Sequence, residues 1–347
     1  MSKICLFGHG LIGQTIQTYL QDLDYEVSVF DKKFAKVNRN YPDLDSFDTL
    51  VELITGHDAV IAATPYNVNL FIANAALSAG VSYFDLTEDI EVANNITKLN
   101  GKKKNVIFVP QCGLAPGAIG IIANNLMGIF DEIDEVKMRV GALPITTTNH
   151  IKYYLSWSSE GLVNEYYKPC PAIVDRKLVM LQPLEGLETL LLDGVEYEAF
   201  NTSGGAGNLS YRLINSFGKN ISKLTYKTIR HKGHRDQILF LKEDLGLSQE
   251  KVVELFDNHI PHNDDDVVLI FVEVTGKCNG KLRRQTYYKK IYGEVGVSAI
   301  QKTTAAGIVS VIDCYLNGKM HENNIISFED FVSNGCGEIY ELPFKVL

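Results

Sequence analysis

Ile4-Cys-Leu-Phe7-Gly8-His-Gly10-Leu-Ile-Gly13 decides how the first third of the chain is read. Four apolar residues form a short strand, three glycines follow at the spacing G-x-G-x-x-G, and residues 11–20 carry a helical pattern. Residues 26–30 make a second strand, with Asp31 at its end. Each part has a task in gripping a dinucleotide. Gly8 allows the tight turn, Gly10 lets backbone approach a pyrophosphate, and Gly13 lets helix and strand pack closely. The helix start at Leu11 and Ile12 offers free N–H groups and the positive end of its dipole to phosphates. Asp31 is suited to accept both hydroxyls of an adenosine ribose and to repel a 2′-phosphate, which points to NAD. Lys32 and Lys33 beside it keep NADP possible.

Beyond this segment, apolar strands are expected at residues 59–63, 81–84 and 106–109. Helices fit residues 47–55 and 70–79, with a polar helix before the last strand. Strands that are apolar throughout, separated by helices, mean a parallel sheet covered on both faces, so the expected fold is α/β with a doubly wound Rossmann sheet. That fold asks for a third strand within residues 34–45, a short and polar stretch. Loops at the carboxyl ends of parallel strands line the ligand crevice. The rule selects Thr64-Pro65-Tyr66, Asp85-Leu-Thr87-Glu88 and Gln111-Cys112-Gly113. Thr64 and Pro65 would lie beside the ribose or nicotinamide; Asp85 and Thr87 serve ligand or cap the next helix.

Past residue 120 the pattern changes to strands at 135–140, 153–157 and 196–200, with Asp193-Gly194 as a hairpin turn. Residues 267–275 and 282–292 pair around 276–280, and helices fit 209–217, 235–245, 249–259 and 304–316. This is an α+β region with a mainly antiparallel sheet. The expected organisation is a nucleotide-binding domain at 1–120, a substrate domain at 121–300 and a C-terminal helix and tail at 301–347.

The chain has 347 residues, 33 Lys and Arg against 42 Asp and Glu, and a formal charge of −9. That acidity argues against nucleic acid or an anionic membrane as partner. No apolar run approaches the ~18 to 20 residues that cross a bilayer. Met1-Ser-Lys3 leads straight into a strand, so no signal peptide is expected. Six scattered cysteines without a C-x-x-C suggest neither a disulfide framework nor a zinc site, and point to the cytoplasm. His259 and His262 with Asp264, Asp265 and Asp266 read as an acidic loop, so no metal is expected.

Several motifs then occur in a fixed order: Pro65-Tyr66, Tyr83-Phe-Asp85-Leu-Thr87, Gly113-Leu-Ala-Pro116-Gly117, Gly141-Ala-Leu-Pro144, Leu155-Ser-Trp157-Ser158-Ser-Glu160-Gly161, Thr202-Ser-Gly-Gly205 and Thr228-Ile-Arg230-His-Lys-Gly233-His234. Together they resemble the saccharopine dehydrogenase (glutamate-forming) and lysine 6-dehydrogenase group, from residue 3 to about residue 316. The shorter chain and Gly233-His234 look more like lysine 6-dehydrogenases, and Ala115 departs from the Asp that the larger saccharopine reductases typically carry there. The resemblance implies a C-terminal helix that returns to the nucleotide domain and chains that pair as homodimers or larger. It also implies hydride transfer from an amine-bearing carbon of a small amino acid, giving an imine that water hydrolyses.

That chemistry needs a proton acceptor near the amine and a cation for the α-carboxylate. Arg230, whose counterpart the family uses for substrate, is the expected carboxylate clamp, with Trp157 walling the pocket. Asp85 and Glu88 are candidates on the amine side, and His234 either relays protons near neutral pH or caps the next helix. Cys112 reads as a packing element of the crevice. Ser203 and Gly204 open a glycine run that forms an anion nest or a flexible turn. Saccharopine dehydrogenase activity, carboxynorspermidine-type chemistry and a catalytically silent NAD sensor stand as alternatives.

Overall fold

Burial of every residue of Ala59–Ala62 and Ser82–Asp85 is possible only where a sheet is covered on both faces, and the computed structural model has that arrangement. It describes residues 1–38, 41–216, 221–320 and 325–342. The chain divides into two compact units, Met1–Ala118 with Thr303–Leu347, and Ile119–Lys302.

The first unit begins with β1 (Lys3–Phe7), α1 (Leu11–Asp22), β2 (Glu26–Phe30) and α2 (Phe47–Ile54). It continues with β3 (Ala59–Ala62), α3 (Tyr66–Ala79), β4 (Ser82–Asp85), α4 (Ile90–Thr97) and β5 (Phe108–Val109). The strands pair in the order β2-β1-β3-β4-β5, all parallel. Phe7, Leu50, Ile54, Val60, Tyr83 and Phe108 belong to its buried core. The third strand asked for within residues 34–45 is not there among the described residues; Lys32–Lys36 is a 3-10 turn started by the Asp31 carboxylate, which accepts from the Lys33 N–H at 2.8 Å. The local hydrogen bond competes with a strand and wins in a polar segment. Residues 39–40 lie outside the described set.

The second unit opens in α5 (Ala118–Met127), whose first residue belongs to the first unit. There follow β6 (Glu132–Pro144), α6 (Ser159–Tyr167), β7 (Cys170–Val174), β8 (Lys177–Leu181), β9 (Glu188–Leu192) and β10 (Val195–Asn201). The remaining elements are α7 (Leu209–Ser216), β11 (Ile221–His231), α8 (His234–Leu239), α9 (Gln249–His259), β12 (Asp266–Cys278) and β13 (Lys281–Tyr292). The helix expected at 209–217 ends at its last described residue, since 217 lies outside the described set. An eight-stranded sheet runs β13-β12-β6-β11-β10-β9, with β7 and β8 joined beside β11. Only β6 and β11 pair in parallel among these strands. Both expected hairpin turns are two residues long with positive φ, Asp193 (51°) and Gly194 (79°), then Asn279 (51°) and Gly280 (72°), and Asp175 (50°) and Arg176 (63°) make a third between β7 and β8. The second turn is thus shorter than the 276–280 expected, and Gly276 lies in β12 at a register shift.

Three further expectations are corrected. Residues 153–157 are not a strand; they form turns with one bridge, Leu155 to His262, because Tyr153 and Leu155 are buried against helices in a separate apolar cluster. The helix expected at 235–245 is α-helical only to Leu239 and continues as a π-helix over Phe240–Asp244. The last long helix, α10 (Ala299–Leu316), starts five residues before the expected 304, its first N–H accepted by Asp266 Oδ1. After it comes α11 (Phe328–Ser333).

The glycine-rich turn tests how tightly the first unit is built. A Cβ on Gly13 would stand 2.1 Å from the carbonyl oxygen of Gly8, which is backbone and cannot swing away. Gly13→Ala is expected to cost about 1–3 kcal/mol and to lower the melting temperature by several degrees in a thermal scan.

Candidate active site

The dinucleotide turn is fixed by backbone packing. Gly8 adopts φ +93°, and a Cβ there would lie 2.3 Å from the carbonyl oxygen of Ala63. A Cβ on Gly10, by contrast, would meet nothing within 4 Å. Gly10 is also the N-cap of α1, with no side-chain cap and no acidic residue in the first turn. Free N–H groups, an open approach at Gly10 and exposed Leu11 fit a pyrophosphate. The Asp31 carboxylate accepts from the N–H of His9 at 2.6 Å and of Lys33 at 2.8 Å, and the Lys33 ammonium donates to the carbonyl of His9. The acidic residue therefore ties the end of β2 to the glycine-rich turn before any ribose is bound.

The loops after β3, β4 and β5 come together as expected. The Thr64 hydroxyl donates to Asn69 Oδ1 at 2.7 Å, and Pro65 is the N-cap of α3. Asp85 is wholly buried, and burial pushes its carboxyl up to about 6. Capping of α4 falls to Asp89, which accepts from Val92, so neither Asp85 nor Thr87 performs that task. Cys112 is buried with its thiol raised well above the usual range by desolvation, and donates to the carbonyl of Val109 at 3.0 Å. Glu88 is half-buried at the surface of this loop.

A second cluster forms in the Ile119–Lys302 unit. Along β11, Tyr226, Thr228 and Arg230 alternate onto one face. Residues 223–224 pair with β7 and 227–231 with β10, so the strand is held along its whole length. Arg230 is 3% exposed. Its Nε donates to the Tyr166 hydroxyl at 3.2 Å, one terminal nitrogen donates to its own neighbour's carbonyl at Ile229, and the guanidinium lies 5.2 Å from the centre of the Tyr153 ring. Its other terminal nitrogen stands 3.8 Å from Glu165 Oε2, too long for a hydrogen bond. That Glu165 oxygen is buried and has no hydrogen-bond partner among the described residues. Burial pushes the Glu165 carboxyl up to about 7, against the pull of Arg230 and Thr228.

His234, the first residue of α8, is fully buried. Its Nδ1 meets the carbonyl of Ile151 at 2.7 Å and its Nε2 the Tyr166 hydroxyl at 3.0 Å. A carbonyl only accepts, so Nδ1 carries the proton and Nε2 accepts from Tyr166. Burial first, and the Arg230 charge second, hold its pKa down to about 3. The imidazole is therefore neutral over the near-neutral range in which it was expected to gain and lose a proton. Capping of α8 is not its task either: the Glu198 carboxylate takes the N–H groups of Gly233 and Arg235 at 2.8 and 2.7 Å.

Trp157 donates from Nε1 to the Tyr153 hydroxyl at 3.2 Å, which puts it beside the ring under Arg230. The loop carrying Ser203 and Gly204 reaches the same cluster, since the Ser203 N–H donates to the carbonyl of Glu165 at 3.1 Å. Gly205 is required there because a Cβ would lie 2.0 Å from the Tyr226 ring. Arg230, Trp157, Ser203, Gly204 and His234 are thus neighbours in one unit. Sequence reasoning missed Glu165, Tyr166 and Tyr153. The available signal was the N-cap: Ser158 accepts from Gly161, which fixes a helix whose second turn carries Glu165.

All six cysteines are free thiols. No group of three or more His, Cys, Asp or Glu among the described residues is arranged to hold a metal ion. No helix among the described residues is long and apolar enough to cross a membrane.

Comparison with known proteins follows the same division. The NADP-binding domain of saccharopine dehydrogenase matches residues 4–108, and the saccharopine dehydrogenase C-terminal domain matches residues 113–345. Bovine mitochondrial alpha-aminoadipic semialdehyde synthase is 21% identical over 318 residues, covering 84% of this chain and 33% of that protein. The chain therefore spans about a third of that relative's length. Saccharopine dehydrogenase (L-Glu forming) from Saccharomyces cerevisiae superposes with a TM-score of 0.69 at 14% identity, covering 95% of each chain. Homospermidine synthase from Legionella pneumophila, solved with NAD, gives 0.68 at 12% identity, covering 98% of this chain and 89% of the other. With an NAD(P)-binding N-terminal domain and matches over both of its parts, the chain belongs to the saccharopine dehydrogenase family.

Proposed function

We propose that this protein is an NAD-dependent oxidoreductase acting on the CH–NH group of a lysine-derived amino acid, in the manner of lysine 6-dehydrogenase. The observation that carries the reading is the buried pairing of Arg230 with a carboxylate oxygen that lacks a hydrogen-bond partner among the described residues. A guanidinium with spare donors suits an α-carboxylate. A carboxylate acceptor beside it suits the neighbouring ammonium. Together they match the zwitterionic head of an α-amino acid.

In this reading Gly8, Gly10 and Gly13 seat the pyrophosphate, and Leu11 and Ile12 begin the helix whose N–H groups face it. Asp31 favours a free ribose over a 2′-phosphate, hence NAD. Nicotinamide, when bound, supplies the hydride acceptor. Arg230 fixes the substrate carboxylate, and Glu165 accepts from its ammonium. The stacked Tyr153 and the Trp157 beside it keep that end dry, and Ser203 and Gly204 close it from the loop side. Neutral His234 holds the Tyr166 hydroxyl, and so the guanidinium, in one orientation. Saccharopine dehydrogenase activity is the second reading, favoured by the yeast enzyme's superposition over 95% of both chains. Free thiols are in keeping with a reducing compartment, and the cytoplasm and a homodimeric state remain part of the proposal.

Arg230→Ala is expected to lower kcat/KM for lysine roughly a hundredfold or more, with NADH affinity unchanged in a fluorescence titration. Retained turnover would refute the clamp, and a silent NAD-binding sensor would be indifferent to the change.

Glu165 must be ionised to accept from an ammonium, so kcat/KM should fall as pH drops below about 7. Glu165→Gln should raise KM more than it lowers kcat, and should abolish that limb of the pH profile. The sign for stability is opposite. A carboxyl raised from its ordinary 4.5 to about 7 binds its proton more tightly folded than unfolded, so stability is lost as pH rises through that window. Thermal scans from pH 4.5 to 7.5 should show this fall in the parent and a flatter profile in Glu165→Gln.

A further inference from the structure

One buried carboxylate joins three loops at the carboxyl edge of the parallel sheet. Asp85 accepts through Oδ1 from the N–H of Thr87 at 3.0 Å and of Gln111 at 3.1 Å. Its Oδ2 stands 3.0 Å from the Tyr83 hydroxyl, which is also 3.2 Å from the carbonyl of Asn69. The side chain of Asn69 takes the Thr64 hydroxyl at 2.7 Å. The backbone of Asp85 accepts from the Cys112 N–H at 2.8 Å. Gln111 has φ +68°, a left-handed conformation that a residue with a side chain adopts at a cost, and its bond to Asp85 holds it there.

Within this connected network the side chain of Thr87 stands apart. Thr87 is 4% exposed, and its hydroxyl has no hydrogen-bond partner among the described residues. A buried hydroxyl in that state is destabilising and calls for a partner from outside the chain. Loops beyond the carboxyl ends of parallel strands line the ligand crevice. The glycine-rich turn takes the phosphates and Asp31 the adenosine ribose, which leaves the other half of the dinucleotide for the loops after β3, β4 and β5.

We propose that the Thr87 hydroxyl hydrogen-bonds the nicotinamide half of the bound cofactor, and that Asp85 is the positioning residue that sets Thr87 and Gln111 for it. The role differs from contact with the substrate amine: the oxygens of Asp85 are turned onto its own loops. The inference rests on dinucleotide binding, and the test separates the two.

NADH and ADP-ribose, which lacks nicotinamide, are titrated calorimetrically into the parent, Thr87→Val, Thr87→Ser and Asp85→Asn proteins. Thr87→Val should weaken NADH roughly three- to tenfold, leave ADP-ribose affinity unchanged, leave the melting temperature of the ligand-free protein equal or higher, and have its NADH loss rescued by Thr87→Ser. Asp85→Asn should weaken NADH selectively as well. Unchanged NADH affinity in Thr87→Val, or an equal loss of ADP-ribose, overturns the contact. Equal losses of both ligands in Asp85→Asn reduce Asp85 to a structural residue and overturn the positioning role. Should Asp85→Asn fail to fold, the Thr87 pair decides alone. Failure of the parent to bind NADH, NADPH and ADP-ribose alike would overturn dinucleotide binding itself.

Discussion

A guanidinium removed from water cannot be released from its charge, so everything packed around Arg230 is arranged to accept from it or lie under it. The Tyr166 hydroxyl accepts a hydrogen bond from its Nε–H, Tyr153 offers a ring face, and Glu165 supplies the opposite charge. Breaking such a buried pair by removing one partner typically costs about 3–5 kcal/mol. These partners come from one helix, α6, and the turn before it, while Arg230 comes from the end of β11. The register of β11 is pinned on one side by β6 and on the other by β7 and β10, so the guanidinium cannot slip by a residue without moving to the opposite face. His234 extends the same chain of hydrogen bonds, with its tautomer set by the carbonyl of Ile151.

The first unit solves a different problem, the close approach of backbone to backbone. Gly8 and Gly13 are packed so tightly that a methyl group on either would overlap a carbonyl oxygen. Only Gly10 in that turn is open. Asp31 and Lys33 then lock the turn to the strand beside it. Such preorganisation means that little ordering is left to be done when a pyrophosphate arrives.

Local signals made this unit readable. The glycine spacing, the acidic residue at the end of β2 and apolar strands of four or five residues are each written within a few positions of one another. The helix Gln249–His259 was equally plain, since Ser248 caps it and its apolar positions repeat at helical spacing. The carboxylate of Glu165 left no such mark. Seven of the nine residues of α6 are buried, so the helix has no polar face and no amphipathic period to read. Residues 153–157 misled for the related reason that an aromatic-rich run resembles a strand when it in fact packs on helices. The lack of a third strand among the described residues was foreshadowed by the polarity of residues 34–45, but the 3-10 turn at Lys32–Lys36 depends on one side-chain bond of Asp31.

Charge balance in the Arg230 cluster bears on the kind of substrate. The guanidinium and Glu165 nearly cancel when Glu165 is ionised, and His234 adds nothing because it stays neutral. A diamine brings two positive charges and no carboxylate. Placed beside a buried guanidinium it would meet repulsion from Arg230 and only one compensating carboxylate. An α-amino acid head brings one charge of each sign and leaves the balance undisturbed. In the proposed reading its carboxylate would take donors of Arg230, and its ammonium would reach the Glu165 oxygen that has no partner among the described residues. On the proposed reading, a zwitterion would offer this buried pair one partner for each charge, which a polyamine would not. The shared architecture with homospermidine synthase speaks for a common fold, and the proposal of an amino-acid substrate rests on the charges of this chain's own cluster.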